Sequence, residues 1–170
     1  KRLSHGEFQS GEVLAKHFNV SRATIWNAIQ EAQSLGIEVF SVRGRGYKLP
    51  ISFDWLSIEA IKNAANMQKL SQPFLLEVHD KLSSTNSYLM QKLNAGLADP
   101  ICVVTNFQTS GRGRRGRSWQ AGLGASLTFS VFWRFQCGAA VLSGLSLAVG
   151  VALIRVFNQL GAPQAKLKWP

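Results

Sequence analysis

The sequence predicts an α+β protein made of two unlike blocks joined by a short linker. Three observations predict this. Residues 1–50 read as two short helices and a glycine-turned hairpin, residues 71–170 alternate apolar strand runs with helical runs, and residues 51–70 hold one further helical run. The chain has 170 residues, 46% of them hydrophobic, with ten Phe and five Trp, enough apolar side chain for a core and too much for global disorder.

In the first block Ser10-Gly11-Glu12 opens a helix over Val13–Phe18; Ser10 can cap it, and Glu12 suits the positive end of the helix dipole. Asn19-Val20 turns the chain. Ser21 caps a second helix that runs to about Leu35, with Ile25, Ile29 and Ala32 recurring at helical spacing as one buried stripe. Gly36 ends it. Ile37–Val42 reads as a strand, Gly44-Arg45-Gly46 as its turn and Tyr47–Leu49 as the return. Helix, turn, helix and hairpin together make a winged helix-turn-helix pattern. The linker, Pro50–Leu70, contains a helix from Ser57 to Leu70.

The second block begins with a strand at Phe74–Val78. Ser84-Thr85-Asn86 leads into a helix ending near Leu97, Ile101–Phe107 is a strand, and Gln108–Gln120 is a loop. Leu127–Phe135 alternates Leu127, Phe129, Val131, Trp133 and Phe135 with Thr128, Ser130, Phe132 and Arg134, a strand with one richly apolar face. Val141–Leu160 is a helix, and a last strand starts at Ala165–Trp169.

Charge narrows the partners. Nineteen Lys and Arg against nine Asp and Glu give +10 and point to polyanions. No Asp or Glu follows Asp99, while eight Lys and Arg do, so half of a nucleotide-using site is expected to lack carboxylates, as in a chain cut in mid-domain. Cys102 and Cys137 form no disulfide framework and read as reduced core thiols of a cytoplasmic protein. His5, His17 and His79 have no metal spacing, and no metal site is expected. Cys137–Ile154 is uncharged over 18 residues, but its serines and glycines favour a buried helix in a soluble domain over a membrane span.

Two groups of residues suggest binding chemistry, and a third adds to one of them. At the N-terminal end of the second helix stand Ser21, Arg22, Ala23, Thr24 and Asn27, placed as a recognition helix places its base-reading residues. Arg43, Arg45 and Lys48 on the hairpin suit phosphate contacts. The block carries seven basic and four acidic residues, and a helical protein-interaction domain is the competing reading. Trp26 lies off the core stripe, as an exposed contact or part of a packing patch. The second group is Gly111-Arg112-Gly113-Arg114-Arg115-Gly116-Arg117-Ser118-Trp119. It contains G-x-G-x-x-G, but a strand follows instead of a helix and no acidic residue lies downstream, which excludes a dinucleotide fingerprint. Its arginines match phosphate and carboxylate, and their mutual repulsion predicts a loop that orders on an anionic ligand. The competing reading is a solvated basic loop. Ser84-Thr85-Asn86 could bind a small polar ligand at a helix N-terminus or simply cap it.

In this order and spacing the motifs resemble the bacterial bifunctional biotin–protein ligase and biotin operon repressor family along essentially the whole chain. The matching segments are Ser10-Gly11-Glu12, Val20-Ser21-Arg22-Ala23, Gly44-Arg45-Gly46-Tyr47, Ser84-Thr85-Asn86, Gln108, Gly111–Trp119 and Lys168-Trp169-Pro170. The resemblance implies a winged helix-turn-helix DNA-binding domain over 1–50, a linker with helix over 51–70, and the N-terminal part of a mixed α/β catalytic domain of the biotin/lipoate ligase type over 71–170. It implies that biotin and MgATP give biotinyl-5′-AMP, and that biotin then passes to a lysine of a biotin carboxyl carrier domain. Arg112 and Arg114 would be the catalytic cations. Ser84, Thr85, Asn86, Gln108, Gly111, Gly113, Arg115, Arg117, Trp119 and Lys168 would line or order the biotin and adenylate site. The adenylate would act as corepressor, promoting a homodimer that binds operator DNA, in the cytoplasm and away from membranes. The Asn-Asp and the lysine that follow Lys-Trp-Pro in the family are not in the sequence, so the chain by itself is expected to be an inactive or very weak ligase. The alternatives are a biotin-sensing repressor without ligase activity and a lipoate-type ligase.

Overall fold

A computed structural model describes residues 1–67 and 74–168. Its contacts divide the chain into two units, Lys1–Trp133 and Arg134–Pro170.

The first unit opens with α1 (Gly11–Phe18) and α2 (Arg22–Ser34). Both are capped as the sequence predicts: Ser10 accepts from the Val13 amide and Ser21 from the Thr24 amide. Asn19 ends α1 in the left-handed region, φ 53°, where Asn is tolerated better than most residues. Leu14, Ala15, Ile25, Ile29, Val39 and Leu49 form the core of this part. The wing is shorter than expected, β1 (Phe40–Val42) against β2 (Gly46–Lys48). Gln9 adds to it by exchanging two backbone hydrogen bonds with Tyr47, both 2.9 Å. That contact passes so close to Gly46 that a side chain there would strike the Gln9 carbonyl. The linker helix α3 spans Ile58–Met67; the expected remainder, to Leu70, lies outside the described residues.

Next come β3 (Leu75–His79), α4 (Thr85–Asn94) and β4 (Ile101–Thr105). β3 and β4 are parallel with α4 between them in sequence, a βαβ unit. β7 (Thr128–Phe132) adds antiparallel to β4, giving the order β3-β4-β7. Leu89, Ile101 and Val103 make the core, with Leu82, Tyr88, Leu97 and Phe132 packed around it. The segment expected as a loop after β4 is instead a hairpin, β5 (Gly111–Arg112) against β6 (Ser118–Trp119). A 3₁₀ turn over Arg114–Gly116 closes it, with Arg115 left-handed at φ 58°.

β7 settles a choice of face that the alternation left open, and three further expectations fail. The alternating apolar face of β7 is not core: Phe129 and Val131 are exposed, and the side bearing Thr128, Ser130 and Phe132 turns inward because α4 packs on that side. In the second unit, a 3₁₀ helix (Ala139–Gly144) leads into α5 (Leu145–Gln159), none of whose residues is buried. The segment Ala140–Gln159 is long and apolar enough to cross a membrane by length and composition, with mean hydropathy 2.1. Residues 134–168 contain no second α-helix or strand; Leu167 approaches α5 at Gly150, where a Cβ would meet Leu167 Cδ2 at 2.9 Å. The second failure is the strand expected from Ala165: residues 165–168 form none, and Trp169 lies outside the described residues. Finally, Cys102 is half-buried and Cys137 exposed, so Cys137 is not a core thiol. Burial pushes the Cys102 thiol up from its ordinary pKa.

Candidate ligand site and DNA-reading surface

The candidate ligand site assembles where three chain segments meet at the sheet end. After β4, Thr105 Oγ1 lies 3.1 Å from the carbonyls of both His79 and Phe107, with no exposed surface, and holds the chain as it leaves the strand. Residues 82–83 then run beside 107–110: the Leu82 amide donates to the Phe107 carbonyl (3.0 Å), the Thr109 amide to Leu82 (3.0 Å) and the Ser110 amide to Ser83 (2.8 Å). This pairing sets Gln108 against the N-terminus of α4. Gln108 Oε1 accepts from the Thr85 amide at 2.7 Å and from Thr85 Oγ1 at 3.2 Å. Thr85 Oγ1 also meets Ser130 Oγ on β7 at 2.8 Å. Ser84 caps α4 through the Ser87 amide, so capping and site-building coexist in one motif.

A cavity of about 260 Å³ opens over this network, lined by Ser84, Thr85, Asn86, Gln108, Arg112, Trp119 and the segment Ser126–Ser130. Asn86 and Arg112 also line a second cavity, of about 590 Å³, with Gly113, Gly116 and Arg117. Hydroxyls, amides and apolar side chains make most of the wall of the first space, guanidinium groups and glycine backbone most of the second, and Arg112 borders both. Among the described residues, Arg112, Arg115 and Arg117 make no ion pair, which leaves their charge available to an anion. Trp119 is 57% exposed at the rim. Gly111 has no room for a side chain, since a Cβ there would meet the Trp119 carbonyl and, at 2.9 Å, Gln108 Nε2.

The predicted residues thus divide. Ser84, Thr85, Asn86, Gln108, Arg112 and Trp119 line one cavity; Gly113 and Arg117 join Asn86 and Arg112 around the other; Gly111 lines neither and packs against the Trp119 carbonyl and Gln108. Arg115 sits at the hairpin tip and lines neither. The side chain of Arg114 lies outside the described residues. Lys168 is exposed in the second unit. Sequence reasoning missed the β7 contribution. Thr128 and Ser130, two residues apart, put polar atoms on one strand face, and that period was the available signal. Among the described residues no group of His, Cys, Asp and Glu could hold a metal ion.

Beside α4 lies an ionic cluster. Glu77 accepts from Tyr88 Oη at 2.9 Å, from Lys92 Nζ, and from His79 Nε2 at 3.1 Å. Burial tends to raise the Glu77 pKa, but these hydrogen bonds and the Lys92 charge outweigh it and hold the carboxyl below its ordinary value. Two of the partners are on α4, so the cluster clamps that helix to β3.

On the winged part, Arg22, Ala23, Thr24 and Asn27 are all exposed beside the Ile25/Ile29 stripe. Ser21 Oγ and Thr24 Oγ1 are 2.9 Å apart, which holds the first turn of α2. Trp26 is 55% exposed, which settles its place as surface. Arg43 and Arg45 are exposed on the wing; the Arg45 guanidinium stacks 4.4 Å over the Phe8 ring, and Lys48 lies 5.8 Å from it.

A helix-turn-helix with a wing, followed by a mixed α/β block, defines the class: a helix-turn-helix domain joined to a ligase-type domain. The chain belongs to the biotin/lipoate A/B protein ligase family, whose model matches residues 78–170, and an HTH domain model matches residues 1–48. It is 38% identical over 168 residues to the bifunctional ligase/repressor BirA of Salmonella typhimurium, and equally so to that of Escherichia coli, covering 99% of this chain and 50% of each relative. A biotin--[acetyl-CoA-carboxylase] ligase of Mycobacterium tuberculosis is 35% identical over 100 residues, 56% of this chain and 38% of the relative. The chain spans about half the length of the curated BirA relatives it matches.

Proposed function

We propose that the protein of this chain is a biotin–protein ligase that is also a DNA-binding repressor of the biotin operon. Residues 1–50 form the DNA-binding domain, 51–70 the linker and 71–170 part of the catalytic domain. The observation that carries this reading is the junction of the two cavities at Asn86 and Arg112. Biotin is a neutral polar ring with an anionic tail. The cavity of Thr85, Gln108 and Ser130 suits the ureido group, and the position of Arg112 on the wall of both cavities supports a role between the tail carboxylate and the α-phosphate of ATP.

In the first reaction a carboxylate oxygen of biotin attacks the α-phosphorus, forming biotinyl-5′-AMP and releasing pyrophosphate. In the second the ε-amine of a carrier-domain lysine attacks the acyl carbon, and AMP leaves. The first step brings two anions together. Arg112 offsets that repulsion and the charge that develops on the phosphoryl oxygens, with Arg114 as the second cation. Arg117 meets phosphate, and Arg115 at the tip orders the hairpin. Gly113 lets the backbone lie against the ligand, and Gly111 serves the site by letting the Trp119 strand and Gln108 close on it. Trp119 closes over the adenylate and excludes the water that would hydrolyse it. Lys168 is proposed as an adenylate-binding residue on the strength of its Lys-Trp-Pro motif alone. Mg²⁺ enters with ATP, held chiefly by phosphate oxygens and water.

Arg22, Ala23, Thr24 and Asn27 read base edges, while Ser21, Arg43, Arg45 and Lys48 contact backbone. Biotinyl-5′-AMP acts as corepressor by favouring a homodimer matched to a two-part operator. The protein works in the cytoplasm. The family match includes α5, which supports reading that helix as part of the catalytic domain and not as a membrane span.

Thermal unfolding with and without biotinyl-5′-AMP tests the site. At a ligand concentration of about 100 Kd the native state gains about 2.7 kcal/mol, a clear rise in midpoint. Arg112→Ala should abolish the rise for the adenylate and reduce it less for biotin. No rise in the unaltered chain would refute the assignment.

A further inference from the structure

The linker between the two blocks is pinned on both sides. The Phe53 amide donates to the Ser4 carbonyl (3.0 Å), and the Leu56 amide donates to Asn106 Oδ1 (3.1 Å) at the end of β4. The Phe53 ring packs on the winged-helix core and lies 5.3 Å from the Trp55 ring. Its other side meets Gly124. A Cβ on Gly124 would fall 2.8 Å from both Cδ1 and Cδ2 of Phe53 and closer still to Cγ. Gly124 has φ +70° and sits in a turn closed by the Ala125 amide on the Gly122 carbonyl, 3.1 Å. Two residues further on the chain delivers Ser126, Leu127 and Thr128 to the wall of the ligand cavity. One aromatic ring therefore touches the winged-helix core and the turn that shapes the site.

We propose that Phe53 is a positioning residue for the ligand cavity, acting through Gly124 to fix the turn that carries Ser126–Thr128, and so links cavity occupancy to the winged helix. The function of this contact rests on reading the cavity as the biotin site. The ring fills the space a side chain at 124 would need, so turn and ring move together or not at all. Coupling of this kind is reciprocal: a ligand that fixes the turn also fixes the ring against the winged-helix core.

The test is a double-mutant cycle on the full chain with Phe53→Ala, Gly124→Ala and the pair. Biotin affinity is measured by calorimetry, and amide hydrogen exchange is followed at Gly124–Ser126. Backbone strain at φ +70° is present with either residue at 53, so the cycle removes it and isolates the ring. Gly124→Ala should weaken biotin binding about tenfold with Phe53 present but within about threefold in the Phe53→Ala background. Phe53→Ala alone should speed exchange at the turn, and Phe53→Leu, which keeps an apolar group on the winged-helix core, should do so too while leaving that core folded. Equal effects of Gly124→Ala in both backgrounds would overturn the proposal, as would turn exchange that ignores both Phe53 substitutions. If the unaltered chain binds no biotin, the biotin reading fails, and the exchange arm alone decides whether Phe53 holds the turn.

Discussion

Replacing Thr85 with Val takes one oxygen out of the site and leaves the shape of the side chain almost unchanged. Thr85 is 3% exposed, and Oγ1 makes two contacts, to Ser130 Oγ at 2.8 Å and Gln108 Oε1 at 3.2 Å. The Thr85 amide still donates to Gln108 at 2.7 Å after the change, so Gln108 keeps a partner. Ser130 does not keep its partner in the protein, but it is only half-buried and can turn to water. The cost is one good hydrogen bond, a fraction of a second, and a methyl packed against polar atoms, about 1–3 kcal/mol in all. Ser130→Ala should cost less, about 0.5–1.5 kcal/mol, because Thr85 retains Gln108. The double variant should be little worse than Thr85→Val, since the bond is already gone; the cycle should show a coupling of about 0.5 kcal/mol or more. Urea unfolding read by tryptophan fluorescence gives all four values, and calorimetry gives biotin affinity for each. Strict additivity, or a Thr85→Val cost below about 0.5 kcal/mol, would refute the network as drawn.

The remaining predictions concern the helices that carry the two surfaces. Glu77 has a depressed folded pKa, so its contribution is full above the unfolded value, about 4.3, and is lost as pH falls through the folded value. Acid titration of stability should thus flatten below about pH 4.3 in Glu77→Gln, at the cost of lower stability at neutral pH; an unchanged acid limb would remove Glu77 from the account. Ser21→Ala strips the cap from α2 and should cost about 1 kcal/mol of unfolding free energy, with DNA affinity falling alongside. Electrophoretic shift on a mixed-sequence duplex and thermal unfolding would read both, and no loss of stability would mean that water replaces the cap.

How far the fold could be read from sequence depended on the range of the interactions. Ser10, Ser21 and Ser84 were legible as caps because a cap acts over three residues, and the α2 stripe of Ile25 and Ile29 was legible because burial repeats with the helix. The hairpin at Gly111–Trp119 was not. Its cross-strand pairs are only two residues long, too short for an alternating pattern to show in the sequence. Helix α5 was legible as a helix and misread as buried, because an apolar period reports what a helix can cover and not what covers it.

The sequence by itself determined the order of most elements, the two positively charged surfaces and the identity of most side chains at the candidate ligand site. Each of these follows from local propensity or from residue chemistry. Only the tertiary structure decided which face of β7 turns inward, since alternation names two faces and the packing of α4 chooses between them. It alone joined Thr85, Gln108 and Ser130, which lie 23 and 45 residues apart along the chain. It also put Phe53 under Gly124. Contacts of that span have no periodic signature, because they arise where separately folded segments meet and each must fill the space the other leaves.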